Sequence, residues 1–299
     1  MQVGYLGLGV MGGALARRLQ LSRPLVVFDL NPTAVADLVG RGAEAVATPA
    51  DLARRCDVIF LCLPTSAHVR TAIFGTEGLI EGLKPGTILV DQTTGDPNAT
   101  RDMARSLAAR GVDLVDAPVS GGAMGAEAGT IAIMLGASDP QRDRLAPIFA
   151  DISPNLFHAG EVGNGQVIKL VNNLISHCQR LLTQEGMALA VKNGVDPDRA
   201  VDILTAGGAR NAYMERILRP RVLKGQLKVG FTLGLAEKDV KLACDLGQDS
   251  GVPMAFGALA SAMYAEMVEQ MGYAAEVESS GLITEARAHT HYIPQDHSV

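Results

Sequence analysis

An α/β fold, with a doubly wound sheet joined through one long helix to an all-α region, is the architecture this sequence predicts. Three observations predict it. Short β-rich runs alternate with helical segments up to about residue 160, several of those runs are apolar at every position, and helical periodicity alone continues past residue 163.

The predicted strands occupy residues 3–6, 25–29, 58–63, 87–91, 112–115 and 130–135. The third reads Val58-Ile59-Phe60-Leu61-Cys62-Leu63, as a parallel strand covered on both faces requires. Between strands the helix starts repeat one device, a short polar residue followed by proline: Asn31-Pro32, Thr48-Pro49, Asp96-Pro97 and Asp139-Pro140. The polar side chain caps free N–H groups, and proline in the first turn forfeits no hydrogen bond. Residues 166–192 contain no proline, and Val167, Leu170, Val171, Leu174, Ile175, Cys178, Leu181 and Leu182 recur at helical spacing. Gly194 suits the left-handed position past a helix end, and Asp196-Pro197 starts another helix. Further helices are expected over 200–205, 212–223, 235–248 and 253–271, and the polar tail from about Ala286 is expected to fray. The predicted domains are 1–162, binding a dinucleotide, and 163–299, all-helical. The second begins with a linking helix at about 163–193 and carries substrate and oligomerisation surfaces.

Composition narrows the function classes. Of 299 residues, 47% are hydrophobic and 19% charged, a globular balance. A net charge of −6 and a pI near 5.5 argue against a nucleic-acid surface. No apolar stretch spans a bilayer, and the amino terminus enters a strand without a leader pattern, so no membrane partner is expected. The four cysteines, Cys56, Cys62, Cys178 and Cys244, form no CxxC pair, which predicts neither disulfides nor zinc and a reducing, cytoplasmic setting. His68, His158 and His177 are isolated from any ligand cluster and read as structural; no metal is expected.

Gly7-Leu8-Gly9-Val10-Met11-Gly12 lies between the first strand and the first helix, the context in which GxGxxG marks a Rossmann dinucleotide site. Gly7 makes the tight turn, Gly9 lets a pyrophosphate approach the backbone, and Gly12 lets helix and strand pack, with the helix amino terminus facing the phosphates. Asp29 ends the second strand near the expected spacing of about 20 residues for the ribose-binding acid. A carboxylate there repels a 2′-phosphate, and no arginine follows among Leu30, Asn31, Pro32 and Thr33, so NAD is favoured over NADP. The plainer reading makes Asp29 a strand-ending cap.

Two further stretches carry chemistry. Ser120, Gly121 and Gly122, within Asp116-Ala117-Pro118-Val119-Ser120-Gly121-Gly122, form either an N–H nest for a carboxylate or a flexible turn. Lys169 and Asn173 are four residues apart on the long helix and share a face among Ile168, Leu170 and Val171. Desolvation and the positive helix end lower an amine's pKa toward neutrality, where it accepts and returns a proton. Against this stands a lysine that merely reaches out of its helix into water.

In combination, the glycine loop, residues 116–122, residues 163–173 and Lys238-Asp239-Val240-Lys241-Leu242-Ala243 resemble the β-hydroxyacid dehydrogenase family, which includes 3-hydroxyisobutyrate dehydrogenase and tartronate semialdehyde reductase. The resemblance implies Lys169 as the catalytic acid/base, and Asn173 with Ser120, Gly121 and Gly122 as substrate holders. It places Lys238 over the cofactor, Asp239 and Phe231 beside the site, Leu63-Pro64 toward the adenosine side and Thr94 toward the nicotinamide. The implied reaction moves a hydride between the dinucleotide and a small 3-hydroxy acid or its semialdehyde. Alternatives are a tartronate or succinic semialdehyde reductase, an imine reductase-like enzyme, and a non-catalytic dinucleotide-binding module. The helical domain, rich in Met, Leu and Ala, is expected to form a homodimer or homotetramer.

Overall fold

The computed structural model describes residues 1–294. The chain divides into two compact units, Met1–Lys169 and Leu170–Val299.

In the first unit the chain runs β1 (Val3–Leu6), α1 (Val10–Gln20), β2 (Leu25–Phe28), α2 (Pro32–Gly40), β3 (Glu44–Ala45), α3 (Pro49–Arg55), β4 (Val58–Leu61) and α4 (Ser66–Phe74). It continues through β5 (Ile88–Asp91), α5 (Pro97–Ala108), β6 (Asp113–Asp116), β7 (Val119–Ser120), α6 (Gly122–Glu127), β8 (Ala132–Gly136), α7 (Asp139–Ile152) and β9 (Leu156–Gly160). The sheet order is β3-β2-β1-β4-β5-β6-β8-β7, with β9 beside β8. Strands β1 to β6 pair in parallel, and β8 runs antiparallel to β6 and β7. Order reverses between β1 and β4, so the loops after these strands flank the crevice where such sheets take ligands.

Alternation along each strand fills two cores. Tyr5, Phe60 and Val90 pack on one face with α1 and α7 residues such as Leu15 and Phe149. Ile59, Leu61 and Leu89 pack on the other with Leu52, Val69 and Met103. Tyr5 stacks on Phe60 at 5.8 Å, and Phe60 meets Phe149 edge-on at 5.9 Å.

Asn31, Thr48 and Asp96 each accept a backbone N–H at the start of the following helix, contacts worth about 1 kcal/mol apiece. The fourth predicted cap shifts by one residue. Ser138, reciprocated by Gln141, caps α7, and Asp139 is its first helical residue, because the serine–glutamine pair satisfies two donors where one aspartate satisfies one.

Helix α8 (Asn164–Lys192) is continuous, and the division between the units falls inside it. The second unit then holds α9 (Pro197–Ala206), α10 (Leu233–Asp249), α11 (Ala255–Met271) and α12 (Ser280–Ala288). Asp196 caps α9, and Gly194 takes φ +86°. Two expectations need correction. The helix expected over 212–223 breaks into a π-turn at Met214–Leu218 and a 3-10 turn at Val222–Lys224. Pro220 has no N–H to continue the ladder, and the turn before it widens, with the Arg219 N–H reaching Met214 O five residues back. The tail is not frayed as far as residue 294. Tyr292 and Ile293 are buried with Met187, Val201 and Leu218, and one Glu285 carboxylate oxygen accepts both of their backbone N–H groups.

Candidate active site

The glycine loop divides its labour by position. Gly7 has φ +94°, and a Cβ there would lie 2.3 Å from Cys62 O. A Cβ on Gly12 would lie 2.0 Å from Gly7 O. Around Gly9 a Cβ would meet nothing within 4 Å. Gly9 also caps α1 with no side chain, so the helix amino terminus offers backbone donors to an anion. Tight packing behind the loop and open space before it fit a dinucleotide pyrophosphate. Leu8 is buried, Met11 is half-buried and Val10 is exposed. Asp29 accepts the Leu8 N–H at 2.5 Å and the Asn31 N–H at 2.7 Å. Its carboxylate therefore braces the loop, and it retains acceptor capacity for a ribose hydroxyl.

The turns after β4 and β5 are tied together. Thr93 Oγ1 accepts the Leu63 N–H at 3.0 Å, and Asp91 Oδ1 accepts the Thr93 N–H at 2.9 Å. Leu63 and Thr94 are half-buried and Pro64 is exposed. Buried Gln166, from the first turn of α8, donates to Thr93 O at 2.7 Å and accepts the Gly95 N–H at 2.9 Å.

Asp116, the last residue of β6, is fully buried. Its Oδ1 accepts the Gly163 N–H at 2.6 Å and its Oδ2 the Gln166 N–H at 2.7 Å. Burial pushes its carboxyl up to about 6, against the pull of these N–H groups and of Arg101. Lys169 follows one turn later and is 8% exposed. Ser120 ends β7, and Gly121 and Gly122 follow with φ +139° and +70°, making a strand-to-helix turn that only glycine adopts without strain.

In the second unit Asn173 is 8% exposed, and its Nδ2 donates to Asp239 Oδ2 at 2.6 Å. Lys238 Nζ lies 3.0 Å from Asp239 Oδ1, an ion pair without hydrogen-bond alignment. Phe231 stacks on His177 at 5.6 Å with 14° between planes. Arg180 reaches His177 Nδ1 at 2.9 Å and the fully buried Glu278 at 3.2 Å. One Glu276 oxygen accepts the N–H groups of Val229 and Gly230 at 2.9 Å and of Phe231 at 3.4 Å. His177 is thus buried in a side-chain network. Burial pushes the Cys56 thiol up to about 12 and raises Cys178 and Cys244, so these remain thiols. All four cysteines are free, and the described residues contain no group of three or more metal-ligating side chains.

Sequence reasoning missed Asp116, Gln166, Glu276 and Arg180 as organising residues. Asp116 heads the Asp116–Gly122 stretch, and a carboxylate closing an apolar strand was its available signal. Gln166 carried one too, a polar side chain three residues before Lys169 on the same helix. Glu276 acts across 45 to 47 residues and Arg180 across 98, separations that no local pattern encodes.

A family model for the NAD binding domain of 6-phosphogluconate dehydrogenase matches residues 2–160. One for the NAD-binding region of NADP-dependent 3-hydroxyisobutyrate dehydrogenase matches residues 163–281. The chain is 36% identical to 2-(hydroxymethyl)glutarate dehydrogenase of Eubacterium barkeri, over 88% of both proteins. It is 34% identical to 3-hydroxyisobutyrate dehydrogenase of Pseudomonas aeruginosa, over 88% of this chain and 90% of that protein. The solved structure of Mycobacterium tuberculosis 3-hydroxyisobutyrate dehydrogenase with L-serine aligns at a TM-score of 0.85 and 26% identity, covering 95% of this chain and 99% of that one.

Proposed function

The chain belongs to the β-hydroxyacid dehydrogenase family of nicotinamide-dependent oxidoreductases, and from that premise we propose that it interconverts a small 3-hydroxy acid and its semialdehyde with Lys169 as acid/base. The observation that carries this reading is the placement of Lys169. It is 8% exposed, three residues beyond Gln166 in a helix whose first turn is held by Asp116 and Gln166, and one helical turn before Asn173. The relatives' names share one chemistry: 2-(hydroxymethyl)glutarate, 3-hydroxyisobutyrate and L-serine each carry a hydroxymethyl group on the carbon that bears a carboxylate. Tartronate semialdehyde keeps that spacing, whereas succinic semialdehyde lengthens it by one carbon.

In this reading residues 1–162 hold the dinucleotide and residues 163–299 supply substrate and oligomer surfaces. Gly7, Leu8, Gly9, Val10, Met11 and Gly12 cradle the pyrophosphate, Asp29 takes the ribose, and Leu63, Pro64, Thr94 and Lys238 contact the rest of the cofactor. When bound, the nicotinamide supplies the hydride acceptor or donor at its C4. The chain's own work is to bind, orient and move one proton. The backbone at Ser120, Gly121 and Gly122 receives the substrate carboxylate. Asn173, oriented by Asp239, and Phe231 hold the substrate carbon frame. Lys169 Nζ takes the hydroxyl proton during oxidation and returns it to the carbonyl oxygen during reduction. Asp29 at the end of β2 supports NAD over NADP, since a carboxylate beside the ribose repels a 2′-phosphate. Ile175, Leu182 and Leu189, exposed at intervals of seven along α8, support association into a dimer or tetramer. No helix among the described residues is long and apolar enough to cross a membrane, and the four free thiols support a cytoplasmic location.

A panel of three- and four-carbon hydroxy acids and semialdehydes, each followed by nicotinamide absorbance with NAD and with NADP, tests the proposal. The expected result is fastest turnover on a 3-hydroxy acid with NAD. Turnover of no member of the panel, with turnover of a cyclic imine assayed beside it, contradicts it.

A further inference from the structure

We propose that Asp116 and Gln166 are positioning residues for Lys169, clamping the first turn of its helix to the ends of two strands. The inference rests on the acid/base reading of Lys169. A helix start ordinarily takes its cap from a neighbouring residue in sequence, within two or three positions. Here the cap comes from 47 and 50 residues upstream, at the end of β6, and each carboxylate oxygen of Asp116 holds one backbone N–H. The carboxylate sits in a slot made by glycines. A Cβ on Gly136 would lie 2.4 Å from Asp116 Oδ1, and one on Gly165 would lie 2.8 Å from Oδ2. The slot therefore admits the carboxylate and excludes any side chain on the two backbone segments beside it. A carboxyl raised toward neutrality by burial is a poor choice for capping alone, since an exposed serine or asparagine satisfies a helix end without desolvation.

Gln166 supplies the second half of the clamp. Its side chain is fully buried and bidentate, donating to Thr93 O and accepting from Gly95 N. These atoms flank Thr94, the residue assigned to the nicotinamide side. One side chain thus fixes the turn beside the reacting ring and the helix that carries the proton-transfer group. Lys169 lies three residues on, a rise of about 4.5 Å along the helix. A small tilt of that turn displaces Nζ without touching the phosphate loop, and about 1 Å of misplacement lowers turnover on the order of 100-fold.

The test compares Gln166→Met, Asp116→Asn and Lys169→Ala with the parent. Readouts are kcat and KM for 3-hydroxyisobutyrate with NAD, NADH affinity by nicotinamide fluorescence, and the urea midpoint. The positioning role predicts that Gln166→Met and Asp116→Asn lose roughly 30- to 100-fold in kcat. NADH affinity and KM should stay within about threefold of the parent, well under one tenfold step in binding constant. Values of kcat within about threefold of the parent in both variants overturn it, as does a loss of NADH affinity that matches the loss of kcat. Should Asp116→Asn fail to fold, Gln166→Met decides alone. A Lys169→Ala protein that turns over normally removes the acid/base reading and the positioning role together. An inactive Lys169→Ala beside fully active Gln166→Met and Asp116→Asn removes the positioning role only.

Discussion

Adding one methyl group at Gly9 or at Gly12 should produce opposite phenotypes. At Gly12 the new Cβ would lie 2.0 Å from Gly7 O, and ordinary contacts begin at 3.4 Å. Helix α1 must therefore retreat by about 1.4 Å, an overpacking that costs roughly 1–3 kcal/mol and, for this severity, falls at the upper end. With about 2–4 °C of melting temperature per kcal/mol, Gly12→Ala should melt roughly 6–12 °C below the parent. At Gly9 the backbone angles of −61° and −168° suit alanine, and the methyl meets no protein atom. Stability should change by less than about 1 kcal/mol, the scale of an N-cap substitution. In the proposed cofactor placement the methyl stands in the path of the pyrophosphate, so Gly9→Ala should weaken NADH binding about 10- to 100-fold, or roughly 1.4–2.8 kcal/mol. Thermal unfolding and the nicotinamide emission of bound NADH separate the two effects, and the chain has no tryptophan to confuse the optical signal. A Gly9→Ala protein that binds NADH like the parent, or a Gly12→Ala protein that melts with it, refutes the division of labour in the loop.

Three further outcomes follow from individual contacts. Burial holds the folded Asp116 at about 6, above about 3.9 for an unfolded chain, so the folded state binds the extra proton as pH falls. From pH 7 to pH 5 the parent should gain about 1 kcal/mol relative to Asp116→Asn in urea unfolding, and parallel slopes would count against a desolvated carboxylate. Arg180→Met strands the Glu278 carboxylate, which is fully buried, and should destabilise by roughly 3–5 kcal/mol, most of which returns when Glu278→Gln is added. Glu285→Ala releases the N–H groups of Tyr292 and Ile293. Limited proteolysis should then clip the carboxy-terminal end at protease levels that leave the parent intact.

What the sequence made legible was local. The apolar run at Val58–Leu61, the proline-marked caps at Asn31, Thr48 and Asp96, and the proline-free span of α8 all act within a few residues. Neighbours in sequence decide such features. Short edge strands escaped notice: Glu44–Ala45 and Val119–Ser120 are two residues each, too brief for any period. Strand β9 was hidden because Phe157 is exposed and His158 interrupts its apolar pattern. The π-turn at Met214–Leu218 reads as ordinary helix until Pro220 is weighed. In the candidate site the glycine loop stood out by residue type and spacing, whereas Lys169 was separated from an ordinary helix lysine only by the family resemblance. Glu276, Arg180, Asp116 and Gln166 did not stand out, since their partners lie dozens of residues away and only the fold brings them together.

Removing the ammonium of Lys169 and then resupplying an amine from solution tests the proton-transfer assignment most directly. Lys169→Ala should bind NADH as the parent does and lose turnover by about 10²–10⁴-fold, the range for a general acid/base. Small primary amines should restore part of that rate in proportion to their concentration and basicity. Turnover within about tenfold of the parent, or a loss that amines do not relieve while NADH still binds, would contradict the account.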